Sequence, residues 1–464
     1  MILKLAFRNI FRNTRRSLTT LSTIAIGAAA VLVFGAYVTY IKLAVETNAV
    51  QRTGHFQVFR KGYFDFGTGN PAAWGIDHYK TALALVRDDP VLKPMTAVVT
   101  PIQNLAGIAG NFANDASKTF FGVGFVPSNR DRMKRWDEYG TGSQGLQHSG
   151  MSNDDPTRGL VGIGVARILG LCAPLHLDNC PPAPKQAAAE PAGSPLPAGI
   201  AALAASDTPG DHGASDGAPS IDLLAATAGG APNVVTFKIA HVEAQPFKEL
   251  DDNYVGMNLG LAQQLVYGRG EHKVTGIVLQ LKRSEDVPAA RARLTTLIAE
   301  KKLDLEIRDF TALTPEYNQI IGLFGSIFSF ISVIIGIVVL FTVANAMGMS
   351  VVERTEEIGT TRALGVRRSG IRRQFLVEGA LLGVIGATAG VLLAYAASHG
   401  VNGAGITWTP PGAVQPVPLR LYMDGAWGLI AGTWLGLTVV ATIAAFVPAH
   451  RAARMKVVDA LRHV

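Results

Sequence analysis

The sequence predicts a polytopic α-helical membrane protein with four transmembrane helices and a large extracytoplasmic α+β domain inserted between the first and the second. Three observations carry this. Of 464 residues, 48% are hydrophobic and only 17% charged, and the mean hydropathy is +0.25, too apolar a balance for an ordinary soluble chain. Four apolar runs, residues 17–41, 319–352, 376–399 and 425–449, each reach the length of about 20 residues that a helix needs to cross a hydrocarbon core. The long polar stretch between the first two runs carries strand-like alternation and an amphipathic helix.

The run at 17–41 follows a basic leader, as in a signal peptide. It is longer than the usual apolar region of about 7–15 residues and lacks a clear A-x-A site, which favours an uncleaved anchor. Charge then sets the orientation. Residues 1–16 hold five Lys/Arg and no acids, 353–373 hold six against three, and 450–464 hold four against one. Residues 43–318 hold 25 Lys/Arg and 29 Asp/Glu. Basic residues gather in cytoplasmic loops, so both termini and the 353–375 loop are expected in the cytoplasm, with 42–318 and a short loop at 400–424 on the far side. The net charge of +7 is therefore concentrated in three short segments. No nucleic-acid partner is expected.

Within residues 1–16, Leu3, Phe7, Ile10 and Phe11 share one helical face, with Lys4, Arg8, Arg12 and Arg15 on another. Such a basic amphipathic helix suits the head-group layer of membrane lipid. After the first span, "GHFQVFR" (residues 54–60) alternates as a half-buried strand, and strands are expected near 96–100 and 119–126. Residues 181–232 are dominated by Ala, Pro, Gly, Ser and Asp and read as a flexible insertion, too poor in large apolar side chains to offset chain entropy. "VVTFKIA" (234–240) restores order. Residues 274–282, 287–301 and 303–310 then read as strand, amphipathic helix and strand, a βαβ unit packing with the strand near Phe56.

Cys172 and Cys180 are the two cysteines of the chain. Both fall in the exported segment, where an oxidising compartment permits a disulfide; two unpaired small hydrophobes are the alternative. No metal site is expected, because C-x7-C lacks a supporting His cluster. Gly379/Gly383 and Gly386/Gly390 form G-x-x-x-G pairs in the third span, and Gly428, Gly432 and Gly436 line one face of the fourth. Small residues let helix backbones approach closely, within the chain or in a dimer.

The stretch Glu353 to Phe375, "ERTEEIGTTRALGVRRSGIRRQF", interrupts two apolar runs with six arginines and three glutamates. Orientation needs only the basic residues. The acids and the ordered Ile358, Ala363 and Leu364 suit a short helix displayed to a partner. Glu378, just inside the third span, is an intramembrane carboxylate; snorkelling or a structural pairing is favoured there over proton transfer.

"ERTEEIGTTRALGVRRSGIRRQFLVEG" resembles the hallmark segment of the FtsX-like, MacB-type permeases, membrane subunits of mechanotransmitting ABC systems. "LAFRNIFRNTRRSLTTLSTIAIG" and "VPAHRAARMKVVDALR" are similar to that family's two ends. The resemblance implies that Glu353, Arg354, Glu357, Ile358, Gly359, Arg362, Ala363, Leu364 and Gly365 contact a cytoplasmic ABC ATPase. Thr360 and Thr361 depart from the aliphatic residues usual in the family. It further implies a bacterial inner membrane location, a second permease copy or a paralogue, and, in the lipoprotein-release branch, a periplasmic lipoprotein carrier. Lipoprotein or lipid release is the favoured function; efflux of a small amphiphile or peptide, or regulation of an envelope hydrolase, are the alternatives.

No G-x-x-x-x-G-K-[ST] occurs. ATP and its magnesium are therefore expected in a partner ATPase, with no cofactor and no catalytic residue in this chain. Nor is there an H-E-x-x-H or a C-x-x-C. The one G-x-S-x-G, "GASDG" at 213–217, lies in the insertion without the strand and helix that a nucleophile elbow needs.

Overall fold

The structure, a computed structural model, describes residues 6–8, 12, 14–141, 148–177, 219–268, 272–410, 412–414 and 416–457. Two compact units emerge. One comprises Met1–Val45, Pro315–Trp408 and Val417–Val464; the other comprises Glu46–Thr314 and Thr409–Pro416. Helix α1 (Thr14–Thr53) supplies residues to both. Its 40 residues correspond to about 60 Å at 1.5 Å per residue. Gly54 stops it with φ +71°, and a Cβ there would fall 2.5 Å from the Val278 side chain, so the turn needs glycine.

The larger unit is built on one nine-stranded sheet among the described residues. In chain order its elements are β1 (Phe56–Arg60), α2 (Tyr79–Arg87), β2 (Thr96–Asn111), β3 (Ala116–Phe125), α3 (Pro127–Lys134), β4 (Arg158–Val161), α4 (Ile163–Ile168), β5 (Ser220–Ala226), β6 (Pro232–Val242), β7 (Tyr254–Asn258), α5 (Leu259–Tyr267), β8 (Gly276–Leu281), α6 (Val287–Glu300) and β9 (Leu305–Asp309).

Strand β1 lies between β8 and β9 and runs antiparallel to both. Strands β8 and β9 are thus mutually parallel and joined through α6, a split βαβ arrangement. Phe56, Leu279, Leu281, Leu294 and Leu297 close its core. The expected strand, helix and strand over 274–310, with the strand near Phe56, are all present.

The 16-residue β2 does two jobs. Its Thr96–Ile102 half pairs with β8, whereas Ile102–Asn111 pairs with β3 and Gly107–Gly110 with β5. From β3 the pairing continues through β7, β4, β6 and β5 back to β2. Six strands therefore form a closed ring, which removes sticky sheet edges. Its core draws Leu105, Phe120, Leu223, Phe237 and Met257 from the strands and Leu261 and Leu265 from α5.

Strand β5 corrects one expectation. Residues 181–232 are expected from composition to be a flexible insertion, yet Ser220–Ala226 is a strand that pairs with β6 along its whole length. Ile221, Leu223 and Ala225 are buried while their neighbours are less so. That period-2 alternation is hidden inside an Ala- and Gly-rich composition. Residues 178–218, which include Cys180 and the part of the insertion holding "GASDG", fall outside the described residues; Cys172 is disulfide-bonded. Leu3, Lys4, Ile10 and Phe11 of the expected amphipathic helix are also outside them.

The other unit contains α7 (Pro315–Glu353), α8 (Thr355–Ala363), α9 (Arg368–Ala404), α10 (Trp427–Ala444) and α11 (Phe446–Arg454). Together with α1 they provide four stretches long and apolar enough to cross a membrane. These helices outrun the apolar segments that announced them: α9 begins at Arg368 and continues to Ala404. The fourth segment is split at Ala445, because Pro448 cannot donate the next helical hydrogen bond.

The glycine faces separate into two kinds. A Cβ on Gly379 would sit 2.5 Å from the Ala445 Cβ, and one on Gly383 2.9 Å from the Thr438 Cα. On the next turns, Gly386 faces Ile24 at 2.7 Å and Gly390 faces the Ala28 Cβ at 2.4 Å. Helix α9 thus meets α10/α11 and α1 through successive G-x-x-x-G pairs. By contrast, a Cβ on Gly428, Gly432 or Gly436 would meet no described atom within 4 Å. Close packing of that face inside the chain, one of the two expectations, is not observed.

Candidate coupling site

Helix α7 stops at Glu353 because Arg354 leaves helical geometry, with φ −113° and ψ 21°. The nine-residue α8 that follows is too short to be stable alone in water, so its setting must come from its surroundings. Arg354 provides most of it. Its Nη1 donates to both carboxylate oxygens of Glu378 on α9 at 3.0 and 3.3 Å, and its Nε donates to Glu357 at 3.0 Å. The guanidinium also lies over the Phe375 ring, 5.6 Å from the centroid. The Arg354 and Glu378 side chains are 14% and 5% exposed, and a buried carboxylate of this kind requires a charged partner.

A second set of pairs ties in α1 and the segment before it. Arg12 donates to Glu357, and Arg16 donates to Glu353 at 2.8 Å. Partial burial pushes the Glu357 carboxyl up, but hydrogen bonds from Arg12 and Arg354 outweigh it and hold the group below the usual carboxylate range. At the other end of α8, Arg362 donates to the carbonyls of Ala453 and Met455 at 3.2 and 2.6 Å, capping α11 where the helix dipole is negative. Ile358 is buried among Val351, Ile371, Phe375 and Ala452.

Gly365 ends α8 with φ +93°. The Val366 N–H reaches the Thr361 carbonyl and the Gly365 N–H reaches Arg362, a Schellman arrangement that favours glycine. Beyond it the chain turns outward: Leu364 is 82% exposed and Val366 41% exposed, with exposed Arg367 and Arg368 alongside.

The residues singled out in the sequence therefore come together but divide by role. Glu353, Arg354, Glu357, Ile358, Gly359 and Arg362 face partners within the chain. Ala363, Leu364 and Gly365 face out. Glu378 is paired, as its position suggested. The role of Arg12 and Arg16 toward the two glutamates was missed, although the signal was present: arginines four apart meet glutamates four apart in the reverse direction.

Residues 328–457, which contain this entire arrangement apart from α1 and the segment before it, match the family described as FtsX-like permease C-terminal. The chain carries an FtsX-like permease domain. Similar curated proteins include the macrolide export ATP-binding/permease protein MacB of Shewanella sp. (strain W3-18-1), 32% identical over 212 residues, 44% of this chain and 30% of that protein. The lipoprotein-releasing system transmembrane protein LolC of Neisseria meningitidis serogroup B is 27% identical over 246 residues, 51% of this chain and 57% of LolC. The match thus spans less than two thirds of either relative. Among solved structures, the periplasmic region of MacB from Actinobacillus actinomycetemcomitans aligns with 58% of this chain and 95% of its own, at 12% identity and a TM-score of 0.31.

Proposed function

We propose that this permease-domain chain is the membrane subunit of an ABC transporter in the bacterial inner membrane. It couples ATP hydrolysis by a separate cytoplasmic ATPase to the extraction of a membrane-associated substrate, a lipoprotein or lipid. The observation that supports it most is the division of α8 into an inward face locked by ion pairs and an outward tip carrying Leu364 and Val366 beside arginines. An exposed apolar knob at the end of a braced helix is suited to a pocket on a partner.

Mechanically, a push on that tip is delivered to three spanning helices at once. Glu353 ends α7 where α8 follows, Arg354 to Glu378 joins the start of α8 to α9, Arg12 ties Glu357 of α8 to the segment before α1, and Arg16 of α1 pairs with Glu353 at the end of α7. Arg362 adds α11. Nucleotide and magnesium belong to the partner chain, in keeping with the missing phosphate-loop motif. Energy input fits a lipidated cargo, since an acyl chain costs about 0.8 kcal/mol per CH₂ to withdraw from a bilayer. The match to a macrolide-export protein supports a second reading, efflux of a small amphiphile or peptide by the same stroke.

The test is Leu364→Glu in the full-length protein. Burying a leucine is worth about 1.5–3 kcal/mol, so co-purification of the ATPase should weaken about 10- to 100-fold with membrane insertion unchanged. Undiminished ATPase recovery would overturn the docking assignment. Nanodisc assays then separate the cargo readings, by release of a lipoprotein to a carrier, export of an amphiphile, or altered activity of an envelope hydrolase without release.

A further inference from the structure

The last two turns of α1 lie in the larger unit, and a helix end buried there must find partners for its final carbonyls. Those partners are side chains from distant parts of the chain. Arg130 on α3 donates from Nη1 to the Gln51 and Arg52 carbonyls at 3.2 and 3.0 Å. Gln280 on β8 bridges the Val50 and Met133 carbonyls at 3.3 and 3.0 Å. In return, Gln51 donates to the Trp136 carbonyl at 2.6 Å.

One turn earlier, Glu46 accepts from the Tyr139 and Ser284 hydroxyls, both at 2.9 Å. The Thr141 hydroxyl meets that of Thr47 at 3.1 Å. Residues 130–141 thus contact α1 at four residues on two turns, Glu46, Thr47, Gln51 and Arg52.

The electrostatics single out Arg130. Glu243 takes an ion pair from Lys134 at 2.6 Å and lies 3.9 Å from Arg130, and all three residues are at most 8% exposed. Burial and the neighbouring Arg130 lower the Lys134 pKa, while Glu243 and Asp131 oppose this. Arg130 also faces the helix C-terminus, where the aligned peptide dipoles amount to about half a negative charge. The guanidinium is also seated over Phe125 at the end of β3, 5.8 Å from the ring centroid, a contact that does not involve α1.

We infer that Pro127–Thr141 is a collar that fixes the rotational setting of the α1 end, with Arg130 as its positioning residue. The inference deepens the transporter reading and rests on it for one consequence only: force arriving along α1 is delivered to the sheet-bearing unit through this collar. The seating itself is independent of that reading.

The experiment uses full-length protein in nanodiscs, spin-labelled at Asn48→Cys and Arg135→Cys, with the distance distribution measured by pulsed EPR. The unmodified collar should give a narrow distribution, Arg130→Ala a broad one, and Arg130→Lys, which keeps a cationic donor, a largely restored one. Tyr139→Phe removes the hydroxyl that bonds Glu46 and Ser284 but leaves Arg130 in place, and should broaden it partially, which keeps the test valid if Arg130→Ala fails to insert. Distributions unchanged in both Arg130→Ala and Tyr139→Phe would overturn the collar.

In the assembled transporter, Arg130→Ala should lower substrate moved per ATP by about tenfold or more, as losing charge-assisted hydrogen bonds implies, with ATPase association intact. A broadened distribution with unchanged transport would overturn the force-passing role. Absence of ATP-driven transport in the unmodified complex would instead sink the transporter reading and leave the collar standing.

Discussion

Lowering the pH should loosen the larger unit through one histidine. His55 is fully buried, edge-on to the rings of Trp136 and Phe310. Its Nδ1 accepts from the Leu281 N–H at 3.0 Å, so the ring proton is on Nε2 and is directed at the Ser284 hydroxyl at 3.2 Å. Ser284 in turn donates to Glu46. Burial lowers the His55 pKa from 6.5 to about 4, so the folded state holds the neutral ring. The unfolded state takes up the proton first, and stability is complete above pH 6.5 and falls as pH drops toward 4. Linkage between those two values gives a loss of about 2 kcal/mol at pH 5 and about 3 kcal/mol at pH 4. The assay is hydrogen exchange at the Leu281 amide, corrected for intrinsic rate, alongside thermal unfolding from pH 7.5 to 4. His55→Asn keeps an acceptor for Leu281 but cannot titrate, and its profile should be flatter by that amount. Parallel profiles for the two proteins would refute the reasoning.

Two further perturbations address the membrane unit. Arg354→Ala leaves the Glu378 carboxylate buried without its cation and should destabilise by about 3–5 kcal/mol; thermal unfolding in detergent would show it, with the Arg354→Glu/Glu378→Arg exchange recovering part of the loss. Gly390→Ala places a methyl 2.4 Å from the Ala28 Cβ and should cost about 1–3 kcal/mol by overpacking, whereas Gly432→Ala, with no described neighbour within 4 Å, should be neutral within about 0.5 kcal/mol. Equal melting shifts for the two glycine variants would contradict the packing.

Apolar length made the four spanning segments legible, and period-2 and period-3.6 patterns made β1, β8, α6 and β9 legible, because in each the local pattern and the final burial agree. The ring of strands was not. Its closure depends on β2 bending from β8 toward β3 and β5, and on β3 and β7 running parallel although far apart in sequence. Neither leaves a local trace. Strand β5 failed for a different reason: composition averaged over a long window outweighed a seven-residue alternation. In the charged stretch, residue types announced a displayed helix, but charge alone did not say which side was displayed. Arginine and glutamate on a short helix read as a surface, and here Arg354, Glu357 and Arg362 are the interior fastening, leaving Leu364 as the exposed feature.

The glycines show the same limit from the opposite direction. Gly379, Gly383, Gly386 and Gly390 repeat every three or four residues, and so do Gly428, Gly432 and Gly436. A small-residue stripe states only that a backbone can be approached; it does not name what approaches. In α9 the stripe changes partner midway, from α10/α11 at Gly379 and Gly383 to α1 at Gly386 and Gly390. Helix α10 meets no described atom within 4 Å on its glycine face, although its glycines also stand four residues apart. Equal patterns thus acquire unequal energies from context, which is why the Gly390 and Gly432 substitutions are expected to differ although nothing in the sequence distinguishes them.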